Sequence, residues 1–96
     1  MNDLPKNIPS PCYVLEDKLL RENLVKLRSV SDKAGVEIIV ALKGFAFWHS
    51  FPLIRKFLSS ATASSLNEAM LINEKMGCKA HTYAPVYSST EIQDIL

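Results

Sequence analysis

The run Val-Glu-Ile-Ile-Val-Ala-Leu-Lys at residues 36–43 constrains the fold more than any other part of the chain. It is rich in β-branched residues and, Glu37 aside, apolar up to its final lysine. A strand with one wet face alternates apolar and polar residues. A strand that is apolar throughout is buried on both faces, as in a parallel sheet covered by helices. Parallel pairing requires a crossover of a dozen or more residues, and the flanking sequence supplies one on each side. Upstream, Glu16 and Asp17 place negative charge where a helix begins. Leu20, Leu24, Leu27 and Ser31 then recur at helical spacing, with Leu19 and Val30 widening the face, until Gly35 offers a left-handed stop. Downstream of Gly44, Ser50 stands where a cap is needed and Pro52 falls in the first turn. Phe51, Ile54 and Leu58 share one face of that helix, beside Phe57.

The same alternation continues. Residues 61–64 predict a short strand of small side chains. Ser65-Leu66-Asn67-Glu68 matches a capping box, in which serine and glutamate side chains satisfy backbone donors reciprocally. The helix it opens runs to Met76 and stops at Gly77. Residues 79–85 predict another strand, and Ser88-Ser89-Thr90-Glu91 is a second capping box opening a helix that reaches Ile95-Leu96. Ahead of all this, residues 1–10 form an extended lead-in. Pro11-Cys12-Tyr13-Val14-Leu15 predicts a first short strand, with proline at the position where a missing N–H is tolerated. Four strand–helix units with short connections imply a parallel α/β architecture with right-handed crossovers. A flavodoxin-like sheet satisfies the same pattern. The last helix is about two turns long and ends apolar and uncapped. The expectation is one partial domain over residues 1–96, the opening piece of something larger.

Composition narrows the function classes. Of 96 residues, 48% are hydrophobic and 22% charged, which suits a core and excludes general disorder. Eleven basic residues against ten acidic ones leave a formal charge of +1. Nucleic-acid binding and membrane-surface binding both draw on a basic excess that is missing. No apolar run approaches the roughly 20 residues of a spanning helix, and the N-terminus has no basic-then-apolar signal segment, so a cytoplasmic protein is expected. Cys12 and Cys78 share no CxxC or Cys/His spacing, and read as buried free thiols. His49 and His81 are isolated, so no metal site is expected. The glycines Gly35, Gly44 and Gly77 form no phosphate loop.

Lys43 is the residue that stands out. Alternation puts Ile39, Ala41 and Lys43 on one strand face and Ile38, Val40 and Leu42 on the other. Ligands of barrels and doubly wound sheets bind at the carboxyl ends of strands. A lysine there, partly desolvated, has its amine available as a nucleophile. The plainer reading is a strand-end lysine reaching to solvent. A second candidate is the strand-to-helix junction at residues 62–68, where Thr62, Ser64 and backbone N–H groups could meet an anion, or where a well-capped helix simply begins. The third is the run His81-Thr82-Tyr83-Ala84-Pro85-Val86-Tyr87, with His81 and Tyr83 on one face and Thr82 on the other. The pattern leaves open which face looks inward. Phe45, Phe47, Trp48 and Phe51 are expected mainly as core, with part of the group able to wall a pocket.

Taken in order, four segments resemble a known family: residues 9–15, Ala41-Leu42-Lys43-Gly44-Phe45-Ala46, Ala63-Ser64-Ser65-Leu66-Asn67-Glu68 and His81-Thr82-Tyr83-Ala84-Pro85. They are similar to the N-terminal part of the pyridoxal-phosphate decarboxylases with an alanine-racemase-like barrel, most of all the carboxynorspermidine and carboxyspermidine branch. The resemblance implies the opening of a parallel (β/α)8 TIM barrel of the alanine-racemase type, truncated after about four βα units. It also implies that Lys43 carries pyridoxal 5'-phosphate as a Schiff base, with weaker cofactor-binding roles for Thr62, Ser64, His81 and Tyr83. The implied substrate is a carboxylated polyamine, converted to norspermidine or spermidine and CO2, and the implied full-length assembly is a homodimer. Residues 11–15 would then belong with a C-terminal β domain. Relatives acting on ornithine or diaminopimelate usually have an asparagine soon after the lysine and many have an aspartate near Thr62. This chain has Gly44-Phe45-Ala46 and Thr62 instead. Alternatives are another enzyme of that barrel type, acting on ornithine, arginine or diaminopimelate or racemising alanine, or a non-catalytic α/β interaction module in which Lys43 is structural.

Overall fold

The computed structural model describes residues 7–96; the first six residues of the lead-in lie outside it. The elements, in chain order, are α1 (Asp17–Ala34), β1 (Val40–Ala41), a 3-10 turn (Trp48–Ser50) running into α2 (Phe51–Arg55), β2 (Ala61–Ala63), α3 (Leu66–Leu71) ending in a wider π turn (Ile72–Met76), β3 (His81–Thr82) and α4 (Ser89–Ile95). The strands form one parallel sheet in the order β1-β2-β3. Val40 pairs with Ala61 and Ala41 with Thr62, while Thr62 pairs with His81 and Ala63 with Thr82. Sheet order thus follows chain order. A flavodoxin-like sheet would instead set its first strand between the second and third.

A single core lies between the sheet and the helices. Leu24 of α1, Leu42, Phe51 and Ile54 of α2, Leu58, Ala61 and Ala63 of β2, and Ile72 and Met76 are all buried, with Ile38 and Val40 packed against them. The alternation read from the 36–43 run therefore holds: Ile38, Val40 and Leu42 face the helices. Ala61 and Ala63, almost fully buried, are small enough to let α2 and α3 close onto β2. Buried Ser60 donates its hydroxyl to the Lys79 carbonyl at 3.0 Å, tying the approach to β2 to the approach to β3. Both long-helix stops behave as read. Gly35 at φ 67° and Gly77 at φ 72° take the left-handed conformation that a Cβ disfavours.

Several expectations are corrected. Residues 11–15 form no strand, because no described strand lies beside them to complete a ladder, and Tyr13 is fully exposed. The strands expected over 36–43 and 79–85 are paired only at Val40–Ala41 and His81–Thr82, with flanking bonds from Leu42 N–H to the Thr62 carbonyl and from Tyr83 N–H to the Ala63 carbonyl. Their middle neighbour β2 is three residues long and cannot pair more. Among the described residues three strands, not four, make the sheet. Ser50 does not cap α2. It is itself helical, and its hydroxyl donates back to the Phe47 carbonyl at 2.7 Å. On α1 only Leu24 is buried, while Leu27 is exposed. Cys12 and Cys78 are free, but Cys12 is exposed and Cys78 half-buried, so neither is a buried thiol. Of the aromatic group, Phe51 alone is fully buried and Phe45 is half-buried; Phe47 and Trp48 are exposed.

Candidate active site at the carboxyl ends of the strands

Parallel register decides which side chains meet on the sheet face turned away from the helices. Ala41, Thr62 and His81 are register partners and form one row across the sheet. Two residues beyond each of these, just past the strand ends, come Lys43, Ser64 and Tyr83. Ala41, Lys43, Thr62, Ser64 and Tyr83 line a cavity of about 40 Å³ at the strands' carboxyl ends. Small Ala41 lets the cavity form beside Lys43. Of the two faces of residues 79–85, register puts His81 in the row of Ala41 and Thr62 and Tyr83 lines the Lys43 cavity, while Thr82 lines a separate cleft with Leu66, Met70 and Ile95.

Four of the five expected site residues, Lys43, Thr62, Ser64 and Tyr83, are thus brought together. His81 shares their face but lies in the row behind and does not line the cavity. Lys43 is exposed, which corrects the expectation of partial desolvation. Tyr83, which also lines the cavity, is 76% exposed.

The junction after β2 is more than a cap. Ser65 accepts the Glu68 N–H at 3.1 Å, as a capping box requires. The reciprocal bond is absent. The Glu68 carboxylate instead accepts from the Ser64 hydroxyl, at 2.8 and 3.2 Å to its two oxygens, and from the Ser64 N–H at 3.4 Å. The second box, Ser88–Glu91, is complete in both directions. Glu68, expected as the closing residue of a capping box within the 62–68 junction, is therefore bound instead to a residue that lines the cavity, a partner the motif did not indicate. The signal was present as a serine four residues before it, one helical turn away.

Beside this cavity, segment 13–15 and loop 44–47 enclose an apolar groove of about 560 Å³, walled in part by Phe45 and Phe47. On another surface His49 stacks on Trp48 at 3.7 Å, and the Lys75 ammonium lies 4.7 Å from the Trp48 ring. Among the described residues no cluster of histidine, cysteine, aspartate or glutamate is gathered to hold a metal, and no helix is long and apolar enough to cross a membrane.

No protein-family model matches the chain. Individual proteins do. A carboxynorspermidine/carboxyspermidine decarboxylase of Campylobacter jejuni is 39% identical over 90 residues, 94% of this chain and 24% of the relative. The crystal structure of carboxynorspermidine decarboxylase from Campylobacter jejuni, complexed with norspermidine, superposes with a TM-score of 0.88 at 40% identity, over 92% of this chain and 24% of that one. Over this stretch the chain is similar to proteins named as carboxy(nor)spermidine decarboxylases. A carboxyaminopropylagmatine decarboxylase of Synechocystis sp. is 43% identical over 90 residues, 94% of this chain and 23% of the relative. The chain spans about a quarter of the length of these curated decarboxylases. Its α/β fold, with a small parallel sheet, matches the corresponding part of the solved decarboxylase.

Proposed function

We propose that this chain supplies the lysine-bearing opening strands of a (β/α)8 barrel in a pyridoxal-phosphate-dependent decarboxylase that removes CO2 from a carboxylated polyamine. One observation carries the reading. Lys43 shares a cavity with Thr62, Ser64 and Tyr83 at the carboxyl ends of three adjacent parallel strands, in a chain 39–43% identical to decarboxylases named for carboxylated polyamines. The barrel reading is supported by a sheet order that never reverses and by a core on one sheet face only, as when strands wind in one direction around an axis.

The residues present fit the cofactor. Ala41, Thr62 and Ser64 are short and leave room above the sheet, and the Thr62 hydroxyl can donate to an anionic oxygen. Lys43 offers the amine to which an aldehyde can attach. A cavity of about 40 Å³ is roughly a tenth of an ordinary small-molecule site, so these strands form one wall and other elements must form the rest. When bound, pyridoxal phosphate supplies the electron sink for the pair left behind as CO2 departs. The chain's own contribution is to hold and release the cofactor through Lys43, and to orient what lies against the sheet through Thr62, Ser64 and Tyr83. His81, one row back, would steady the floor beneath them. A cytoplasmic location and homodimeric assembly of the complete enzyme, both expected from the sequence, belong to the same proposal.

The relatives' names differ in substrate, so the proposal names the shared class. The complete protein containing this chain, supplied with pyridoxal phosphate, is to be assayed for CO2 release from carboxynorspermidine, carboxyspermidine and carboxyaminopropylagmatine, with ornithine and diaminopimelate as controls. Release from at least one of the first three, well above both controls, is expected. Release from the controls alone, or from none, contradicts the reading.

A further inference from the structure

Glu68 departs from what its own motif dictates, and the departure points at Lys43. Capping-box geometry is available in this fold, since Glu91 accepts the Ser88 N–H at 3.1 Å. Glu68 instead turns its carboxylate to the Ser64 hydroxyl at 2.8 Å. A carboxylate oxygen without a proton can only accept, so the Ser64 hydroxyl directs its one proton into that bond. The remaining lone pairs of the Ser64 oxygen are then left for a donor, and a hydroxyl whose proton is drawn toward a carboxylate is a stronger acceptor. Ser64 lines the same cavity as Lys43, each two residues past a pair of register partners, Thr62 and Ala41.

We propose that Glu68 is a positioning residue of the Lys43 site, fixing the Ser64 hydroxyl as the acceptor for a primary amine in that cavity. The proposal rests on the reading of Lys43 as the cofactor-bearing lysine. The amine is either that of Lys43 itself, while not joined to cofactor, or a terminal amine of the polyamine. Both present the same N–H donors. Glu68 acts only through Ser64, and its second bond, to the Ser64 N–H at 3.4 Å, keeps the junction in place while it does so.

The test uses the complete enzyme and the variants Ser64→Ala, Glu68→Ala, the double variant and Glu68→Gln. Ser64→Ala and Glu68→Ala should each lower kcat/KM about tenfold, the value of one hydrogen bond to a charged group. The double variant should be no worse than either, because the two residues act as one unit. Glu68→Gln, whose amide oxygen still accepts the hydroxyl proton, should recover most of the loss. Melting temperatures should stay together, since the Ser65 cap on the Glu68 N–H survives in every variant. A slower attachment of cofactor to Lys43 assigns the amine to Lys43. A raised KM with unchanged attachment assigns it to the polyamine. Wild-type kcat/KM in Ser64→Ala, additive losses in the double variant, or losses that merely track the melting temperature would overturn the proposal. A wild-type enzyme carrying no cofactor on Lys43 overturns it together with the reading beneath it, and is recognised separately by mass.

Discussion

Residues 1–96, produced alone, should fail to persist as a folded monomer, and the structure sets the scale of the failure. A compact domain of this length has a radius of gyration near 12.5 Å; this one has 15.7 Å and extents of 49 × 39 × 22 Å, the shape of a slab. At 10.7 kDa a free domain exposes about 5,500 Å², whereas the chain exposes 7276 Å². If half of the excess is apolar, then at about 25 cal/mol per Å² something on the order of 20 kcal/mol of burial goes unused. That exceeds the whole net stability of an ordinary domain, about 5–15 kcal/mol. The surfaces responsible are specific: Phe47, Trp48, Tyr83, Val86 and Leu96 stand exposed, and among the described residues β1 and β3 each leave an unpaired edge ready to recruit another chain. Size-exclusion chromatography with light scattering, near-ultraviolet circular dichroism and a thermal melt should show self-association or a state without fixed side-chain packing. No CO2 release is expected from it. A monomer with a sharp cooperative melt would refute the reasoning, since it would mean that the open sheet face and edges cost far less than their area implies.

Two substitutions in the complete protein test the local account. Ser65→Ala removes the acceptor for the Glu68 N–H and should cost about 1 kcal/mol in denaturant unfolding, with turnover of the folded enzyme little changed; a large loss of turnover at unchanged stability would make Ser65 a ligand instead of a cap. Phe51→Ala empties a fully buried position at the centre of the core and should cost about 3–5 kcal/mol by the same measurement, and a cost below about 1 kcal/mol would mean that α2 does not pack as described.

Much of this was legible because it is local. The ends of α1 and of the π turn follow from Gly35 and Gly77, and the complete box at Ser88–Glu91 follows from its four residues. The facing of residues 38–43 was legible because an apolar run that ends in Lys43 has one sensible inward face. Strand length was not, since a strand exists only as far as its neighbour pairs with it, and the three residues of β2 limit both β1 and β3. Segment 11–15 has the composition of a strand and, among the described residues, no partner. At the site, Lys43 could be singled out from the sequence, but its meeting with Thr62, Ser64 and Tyr83 is a product of parallel register. Glu68 was hidden by its own motif: the sequence matches a capping box, and only the fold reveals that Ser64 has taken the carboxylate.

The central claim is that Lys43 is the lysine that carries the cofactor. The direct measurement is borohydride reduction of the complete enzyme loaded with pyridoxal phosphate, followed by peptide mass mapping. The expected result is a pyridoxyl phosphate addition on the peptide containing Lys43, with Lys43→Arg unlabelled there and inactive despite its retained charge, because a guanidinium cannot exchange the cofactor as an amine does. Stoichiometric label on another lysine, such as Lys56, Lys75 or Lys79, or none at all in an enzyme that still releases CO2, would contradict the account.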